Sequence, residues 1–161
     1  KSKVRWGMLM TAQIQDYAIR EMRRDDLEKV TALEAACFSM PWKYMDFEEV
    51  LSNPHRVYLV AETEKQEIIG GCMLTEIVGE GDISNVAVDK RFRRQKIATA
   101  LLDRLLEHGR REYGISAFTL EVRSKNVPAI RLYEGAGFRA EGIRPNFYEK
   151  PKDDAVIMWK R

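Results

Sequence analysis

The sequence predicts one mixed α/β domain, a central sheet carrying helices on both faces. Three observations lead there. In the middle of the chain, short apolar runs alternate with stretches of helical period. Towards both ends, apolar runs come in pairs joined by polar segments, as hairpins do. The length, 161 residues, suits a single core that buries roughly 68–70% of the unfolded surface. The domain is expected over 16–161. Residues 1–15 read as an N-terminal extension, in which the apolar run at 6–10 is too short for a secretory signal.

In order, 17–22 alternates weakly and reads as a first strand. Asp25 or Asp26 then caps a helix with Leu27, Val30, Leu33, Glu34 and Cys37 at near-helical spacing. Pro41 closes that region by pushing Met40 out of helical geometry. Phe38 and Trp42 fall on the loop, where they either pack on the core beneath or line a cleft. A short helix over 44–52 stops before Asn53-Pro54. Strands at 57–62 and 68–74 form a hairpin, and the paired glycines Gly70-Gly71 mark a bulge or a close backbone approach. A loop with Gly79 and Gly81 leads to a buried strand containing Ile83, Val86, Ala87 and Val88. Ile97, Leu101, Leu102, Leu105 and Leu106 stripe a long helix whose other side shows Arg104, Glu107, Arg110 and Arg111 to water. Gly114 caps it. A strand at 118–122 follows, then a helix capped by Asn126 that tolerates Pro128 in its first turn and carries Ile130, Leu132, Tyr133 and Ala136. Two closing strands, 139–143 and 155–159, are joined by a polar loop at 144–154.

Composition excludes several classes. With 27 basic and 25 acidic side chains the net charge is +2, too near neutral for a general nucleic-acid binder. Cys37 and Cys72 form no CxxC pair, and with only His55 and His108 besides, no metal site is expected. A reduced, cytoplasmic compartment is the simpler reading. No apolar run approaches the ~20 residues of a membrane span. A monomer is favoured.

The chain is organised around the segment from Asn85 to Leu102. An apolar strand meets a turn in which Arg91, Arg93, Arg94 and Lys96 put four cations within six residues, where a helix begins. Free amides and the positive end of the helix dipole make that place an anion site, which the charges sharpen. A solvated basic turn is the plainer alternative. Gly135 and Gly137 end a helix, the wrong context for a dinucleotide fingerprint, and no G-x-x-x-x-G-K-[ST] phosphate loop occurs.

Two motifs carry a resemblance. Arg93-Arg94-Gln95-Lys96-Ile97-Ala98 resembles the [QR]-x-x-G-x-[GA] acyl-CoA turn of the GNAT N-acetyltransferases, and the run from Asn126 to Phe138 is similar to that family's N-x-x-A-x-x-L-Y-x-x-x-G-F signature. The similarity covers about 16–160. Leu120-Glu121-Val122-Arg123, Phe38 with Pro41-Trp42, and Ile143-Arg144-x-Asn146-x-Tyr148 resemble the subgroup that acetylates the N-terminal alanine of a ribosomal protein. Lys96 departs from the pattern, standing where the turn has its first glycine, and Phe147 stands where tyrosine is common. A helical φ at Lys96 would seat its side chain without cost.

The resemblance implies a mostly antiparallel sheet and acetyl-CoA as co-substrate. Val86, Ala87 and Val88 would run beside the pantetheine arm in a strand-like ladder. Arg93, Arg94, Gln95, Lys96, Ile97, Ala98 and Thr99 would hold the pyrophosphate at the helix N-terminus, and Asn126 would cap its helix, contact the co-substrate, or both. The amine must attack neutral, and an α-amine with a pKa of about 7.7–8.0 loses its proton far more readily than lysine at about 10.4. Glu121, at a strand end, is the candidate general base, or else a surface glutamate. Tyr133 is the candidate acid for the departing thiolate, or else a core tyrosine. Phe38, Pro41, Trp42, Asn146 and Tyr148 are expected to line the path of a substrate peptide. The alternatives are an acetyltransferase of a small amine, polyamine or lysine side chain, and a non-catalytic CoA-binding subunit.

Overall fold

The computed structural model describes residues 16–161; the extension expected at 1–15 lies outside the described residues. The elements are β1 (Tyr17–Glu21), α1 (Leu27–Cys37), α2 (Tyr44–Ser52), β2 (Arg56–Thr63), β3 (Ile68–Ile77), β4 (Glu80–Val88), α3 (Ile97–Tyr113), β5 (Ala117–Arg123), α4 (Val127–Gly135), β6 (Arg139–Glu149) and β7 (Lys152–Lys160). They build one seven-stranded sheet of order β1-β2-β3-β4-β5-β7-β6. Every pairing is antiparallel except β4 with β5. This is the expected mixed, mostly antiparallel sheet with helices on both faces.

Each face has its own core, as alternation along the strands requires. On one, Leu101, Leu102 and Leu105 of α3 and Tyr133 of α4 pack with Leu74, Ile83, Phe118 and Leu120. On the other, Leu27, Val30 and Leu33 of α1 and Phe47 of α2 pack with Tyr58, Val60 and Met73. Gly71 serves this second core by what it lacks: a Cβ there would lie 2.2 Å from the Tyr58 hydroxyl.

Caps stop the helices near α3 and α4. Gly114 takes a left-handed φ of 66° after α3, and the Asn126 side chain accepts the Ala129 N–H at 3.2 Å to start α4. The start of α1 differs from expectation. Neither Asp25 nor Asp26 caps it through a side chain. A 3-10 turn (Arg24–Asp26) comes first, and Asp26 instead accepts the Arg23 N–H and both arms of the Arg20 guanidinium (2.7 and 2.9 Å).

Two boundaries are corrected. β4 begins at Glu80, so Gly81 lies inside the strand, against Phe118 and Leu74. The segment 144–154 is mostly hairpin, since β6 runs to Glu149 and β7 starts at Lys152. β6 is an edge strand exposed almost throughout, so it shows no two-residue apolar period; pairing with the better-buried β7 extends it. A register shift between Arg144 and Tyr148, with Asn146 at φ 56°, marks a bulge.

Candidate active site

The site opens where β4 and β5 part. Their parallel register runs from Glu80↔Ala117 to Ile83↔Leu120 and ends there. Side-chain parity shows why. Ile83 faces the α3 core, and Val86, three residues on, packs against the same core, whereas strict alternation would send it to the other side. The extra residue is absorbed at Asn85, which takes a φ of 55°. β3 registers the same irregularity between Gly71 and Met73. Beyond this bulge the β4 edge from Ser84 has no strand beside it, and Glu121, Val122 and Arg123 form the facing wall.

The bulge is clamped from below. Glu34, 2% exposed on α1, accepts Asn85 Nδ2 at 2.9 Å and the Trp42 N–H at 3.3 Å through one oxygen. Its other oxygen and the buried Tyr58 hydroxyl have no hydrogen-bond partner among the described residues. Burial pushes the Glu34 carboxyl above its usual range. Trp42 packs at 5.3 Å on Phe47, with the Arg56 guanidinium 5.5 Å from its ring. Of the two loop aromatics, then, Trp42 joins the core and Phe38 stays at the rim, 36% exposed.

On the facing wall, Glu121 pairs with Arg144 of β6 at 3.3 Å. Arg123 lies 4.2 Å from the Tyr148 ring centroid and donates to the carbonyls of Pro151 (2.6 Å) and Lys150 (3.1 Å). The tip of the β6–β7 hairpin is thereby held over the gap. Ser39 reaches the Lys150 carbonyl from the α1–α2 loop, so the two loops expected to flank a peptide meet as an arch. Tyr148 stands near Glu121, whose charge adds to burial in raising its phenol. Tyr133 lies on the α3 face of the sheet, 8% exposed, its ring 6.1 Å from Phe138. Burial keeps its hydroxyl protonated well above the usual phenol range.

In the basic turn Arg94 and Lys96 both adopt left-handed backbone, with φ of 66° and 62°. Such alternation curls successive amides towards a common centre, and the first bond back into the helix is Ala100 N–H to Lys96 C=O. The charges are not equivalent. Arg91 is tied to Asp89 and Glu67, and Arg93 Nε donates to the Val88 carbonyl at 3.2 Å. Arg94 and Lys96, exposed like the other two, stand nearest the helix start.

The family described as Acetyltransferase (GNAT) matches residues 17–138. This chain belongs to the GNAT acetyltransferase family. It is an acyltransferase enzyme. The ribosomal protein bS18-alanine N-acetyltransferase of Escherichia coli (strain K12) is 32% identical over 143 residues, 87% of this chain and 94% of that one. The crystal structure of the ribosomal-protein-S18-alanine N-acetyltransferase from Escherichia coli superposes with a TM-score of 0.81 at 26% identity, covering 90% and 93% of the two chains. Ard1 from Thermoplasma volcanium gives 0.78 at 28%, covering 89% and 96%.

GNAT acetyltransferases take their acetyl group from acetyl-CoA, and this acetyltransferase fits that co-substrate. The unpaired β4 edge suits an extended arm bearing amides, and the amide nest with Arg94 and Lys96 suits a pyrophosphate. Among the described residues no cluster of His, Cys, Asp and Glu is placed to hold a metal ion, and no helix is long and apolar enough to cross a membrane. The Lys96 backbone is left-handed rather than helical, so the family's glycine would relieve a real strain there. Lys96→Gly should raise stability by up to about 1 kcal/mol in urea titration. A loss would mean the lysine side chain contributes more than its backbone costs.

Sequence reasoning passed over one acid. Glu34 signalled itself only as a carboxylate within an apolar helical stripe. Asn126, for its part, spends its side-chain oxygen on capping α4.

Proposed function

We propose that this acetyltransferase moves the acetyl group of acetyl-CoA to the N-terminal α-amine of a protein, by direct attack with both substrates bound. The observation that carries the reading is the unpaired β4 edge facing Glu121 across the gap, with Tyr133 in the core on the α3 side of the sheet. The similarity to bS18-alanine N-acetyltransferase favours an N-terminal alanine of a ribosomal protein, with the cytoplasm as the compartment of the reaction.

Acetyl-CoA supplies the activated acyl carbon. The chain's residues do the rest. Val86, Ala87 and Val88 flank the thioester arm, and a backbone N–H there polarises its carbonyl as charge develops on the oxygen. Amides and cations from Arg93 to Thr99 hold the pyrophosphate. Glu121 is the general base on the attacking nitrogen, and Tyr133 protonates the departing sulfur. Phe38, Pro41 and Asn146 edge the peptide path, Trp42 holds its wall, and Tyr148 contacts the peptide.

A polyamine substrate would want free carboxylates at the mouth. Of the three acids in that hairpin, Glu149 is exposed, and the adjacent pair Asp153 and Asp154 are both committed. Asp153 accepts Ser124 Oγ at 2.5 Å and the Lys125 N–H at 3.1 Å, while Asp154 accepts the Asn146 N–H at 2.8 Å.

The test compares steady-state acetylation of a hexapeptide beginning Ala-Arg, an N-terminally blocked peptide carrying lysine, and spermine. The free-amine peptide alone should turn over; turnover of either other substrate instead moves the function to the lysine or small-amine class. Tyr148→Ala should raise the peptide KM several-fold and leave the acetyl-CoA KM unchanged. The reverse pattern would remove Tyr148 from the peptide site.

A further inference from the structure

We propose that Glu34 is a positioning residue for acyl transfer: from beneath the sheet it locks the β4 bulge to the wall of the amine site, and so fixes the acyl-binding edge against the attacking nitrogen. This rests on the amine-acetylating function above.

The edge in question is short. Asp89 turns its N–H to the Ile69 carbonyl of β3 at 2.8 Å, so by alternation along the ladder the backbone groups of Val88 and Val86 turn to the open side. Both ends of this stretch are held from one face of α1. Glu34 accepts the Asn85 side-chain N–H at 2.9 Å, and Cys37 gives its thiol proton to the Val88 carbonyl at 3.6 Å. The two are three residues apart on the helix, and therefore neighbours on its surface. A thiol is a weak donor, so Glu34 supplies the stronger hold.

Asn85 has two tasks that can be separated. Its φ of 55° is a left-handed backbone that asparagine tolerates better than most residues and glycine adopts freely. Its side chain is what Glu34 grips. The same Glu34 oxygen accepts the Trp42 N–H at 3.3 Å, beyond the break at Pro41. One atom thus joins the bulge to the loop that carries Phe38, Pro41 and Trp42. While that atom holds both donors, the two substrate walls keep one spacing. Reacting atoms must meet at about 3–3.5 Å, and a misplacement of about 1 Å costs on the order of 10²-fold in rate.

Glu34 is a costly way to fill its space, which argues against simple packing. It is 2% exposed, and no cation pairs with it among the described residues. Its second oxygen and the Tyr58 hydroxyl are both buried without a partner. The two groups feel each other, since the Glu34 charge adds to burial in raising the Tyr58 phenol. An alkyl group of similar volume would be easier to bury, and it would leave both donors unheld. Glutamine would keep an oxygen for the two donors and bring N–H groups where Glu34 has its unpartnered oxygen.

The test uses Glu34→Leu, Glu34→Gln and Asn85→Gly in the full chain, with acetyl-CoA and the Ala-Arg peptide. Glu34→Leu and Asn85→Gly should each lower kcat by about 10- to 100-fold. The calorimetric acetyl-CoA Kd should move by no more than about threefold, because the turn from Arg93 to Thr99 holds the pyrophosphate separately. The double variant should be no slower than the slower single one, since both cut the same link. Glu34→Gln keeps the acceptor and should retain kcat within about twofold. In NMR, the Asn85 side-chain amide should exchange slowly with solvent in the wild type and in Glu34→Gln, and fast in Glu34→Leu. Asn85→Gly at the wild-type rate would overturn the proposal, leaving asparagine there for its φ alone; this variant decides the matter if Glu34→Leu does not fold. Losses that add in the double variant would overturn it too, as would Glu34→Gln falling as far as Glu34→Leu. A lower melting temperature with unchanged kcat would make Glu34 a residue of stability only. If the wild type acetylates spermine and not the peptide, the peptide reading fails and the same kcat comparison on spermine decides Glu34. Turnover of no amine overturns both.

Discussion

Glu121→Gln lowers kcat for a free-amine peptide by about 10²-fold at neutral pH, while the calorimetric Kd for acetyl-CoA stays put. General-base contributions of 10²–10⁴ set the scale. The substitution is nearly isosteric and keeps an oxygen towards Arg144, 3.3 Å from the carboxylate, so the arch and the β5 wall should survive it. What goes is the ability to accept a proton at a place where the side chain is 31% exposed and borders the unpaired gap. The deficit has a diagnostic pH dependence. Above about pH 8 an α-amine is largely neutral without help, so the variant should close part of the distance to wild type there. An unchanged rate would make Glu121 a surface glutamate. A deficit constant across pH would give it a role other than accepting protons.

Why some parts of this molecule were readable in its sequence and others were not has a physical basis. The α3 stripe and its Gly114 stop, the Asn126 cap, the 44–52 helix and the β2–β3 hairpin are written in local chemistry: apolar period, caps and turn residues that would act the same way in any fold. The basic turn was legible for the same reason, since charge and a helix start are both local. The length of β6 was not, because an exposed edge strand has no apolar period and exists through pairing with β7. The bulge at Asn85 could be inferred only once Ile83 and Val86 were known to share a face. Glu34 depends on it more deeply still. It is an acid whose meaning comes from a partner 51 residues away, Asn85. The four cations of the turn were equal in the sequence and unequal in the fold, because Glu67 on the neighbouring hairpin claims Arg91.

Tyr133→Phe separates packing from chemistry at the other end of the reaction. The ring is buried in the α3-side core, edge-on to Phe138 at 6.1 Å. Phenylalanine keeps those contacts, so the unfolding free energy should move by no more than about 1 kcal/mol, the net worth of one hydroxyl hydrogen bond. If the hydroxyl protonates the departing sulfur, kcat falls by about 10²-fold. Burial holds that proton on the oxygen well above the ordinary phenol range, so the acid form is present throughout the working pH and no basic limb from Tyr133 should appear near neutrality. The size of the loss should depend on what is leaving. A thiol of pKa about 8.5 needs a proton only in part, and an aryl thioester, whose thiolate is a weaker base, needs it less. The variant's deficit should therefore shrink with an acetyl aryl thioester as donor, measured as the ratio of wild-type to variant kcat on each donor. A core tyrosine would show the wild-type rate on both. A deficit equal on both donors would mean that the hydroxyl positions the thioester without giving it a proton.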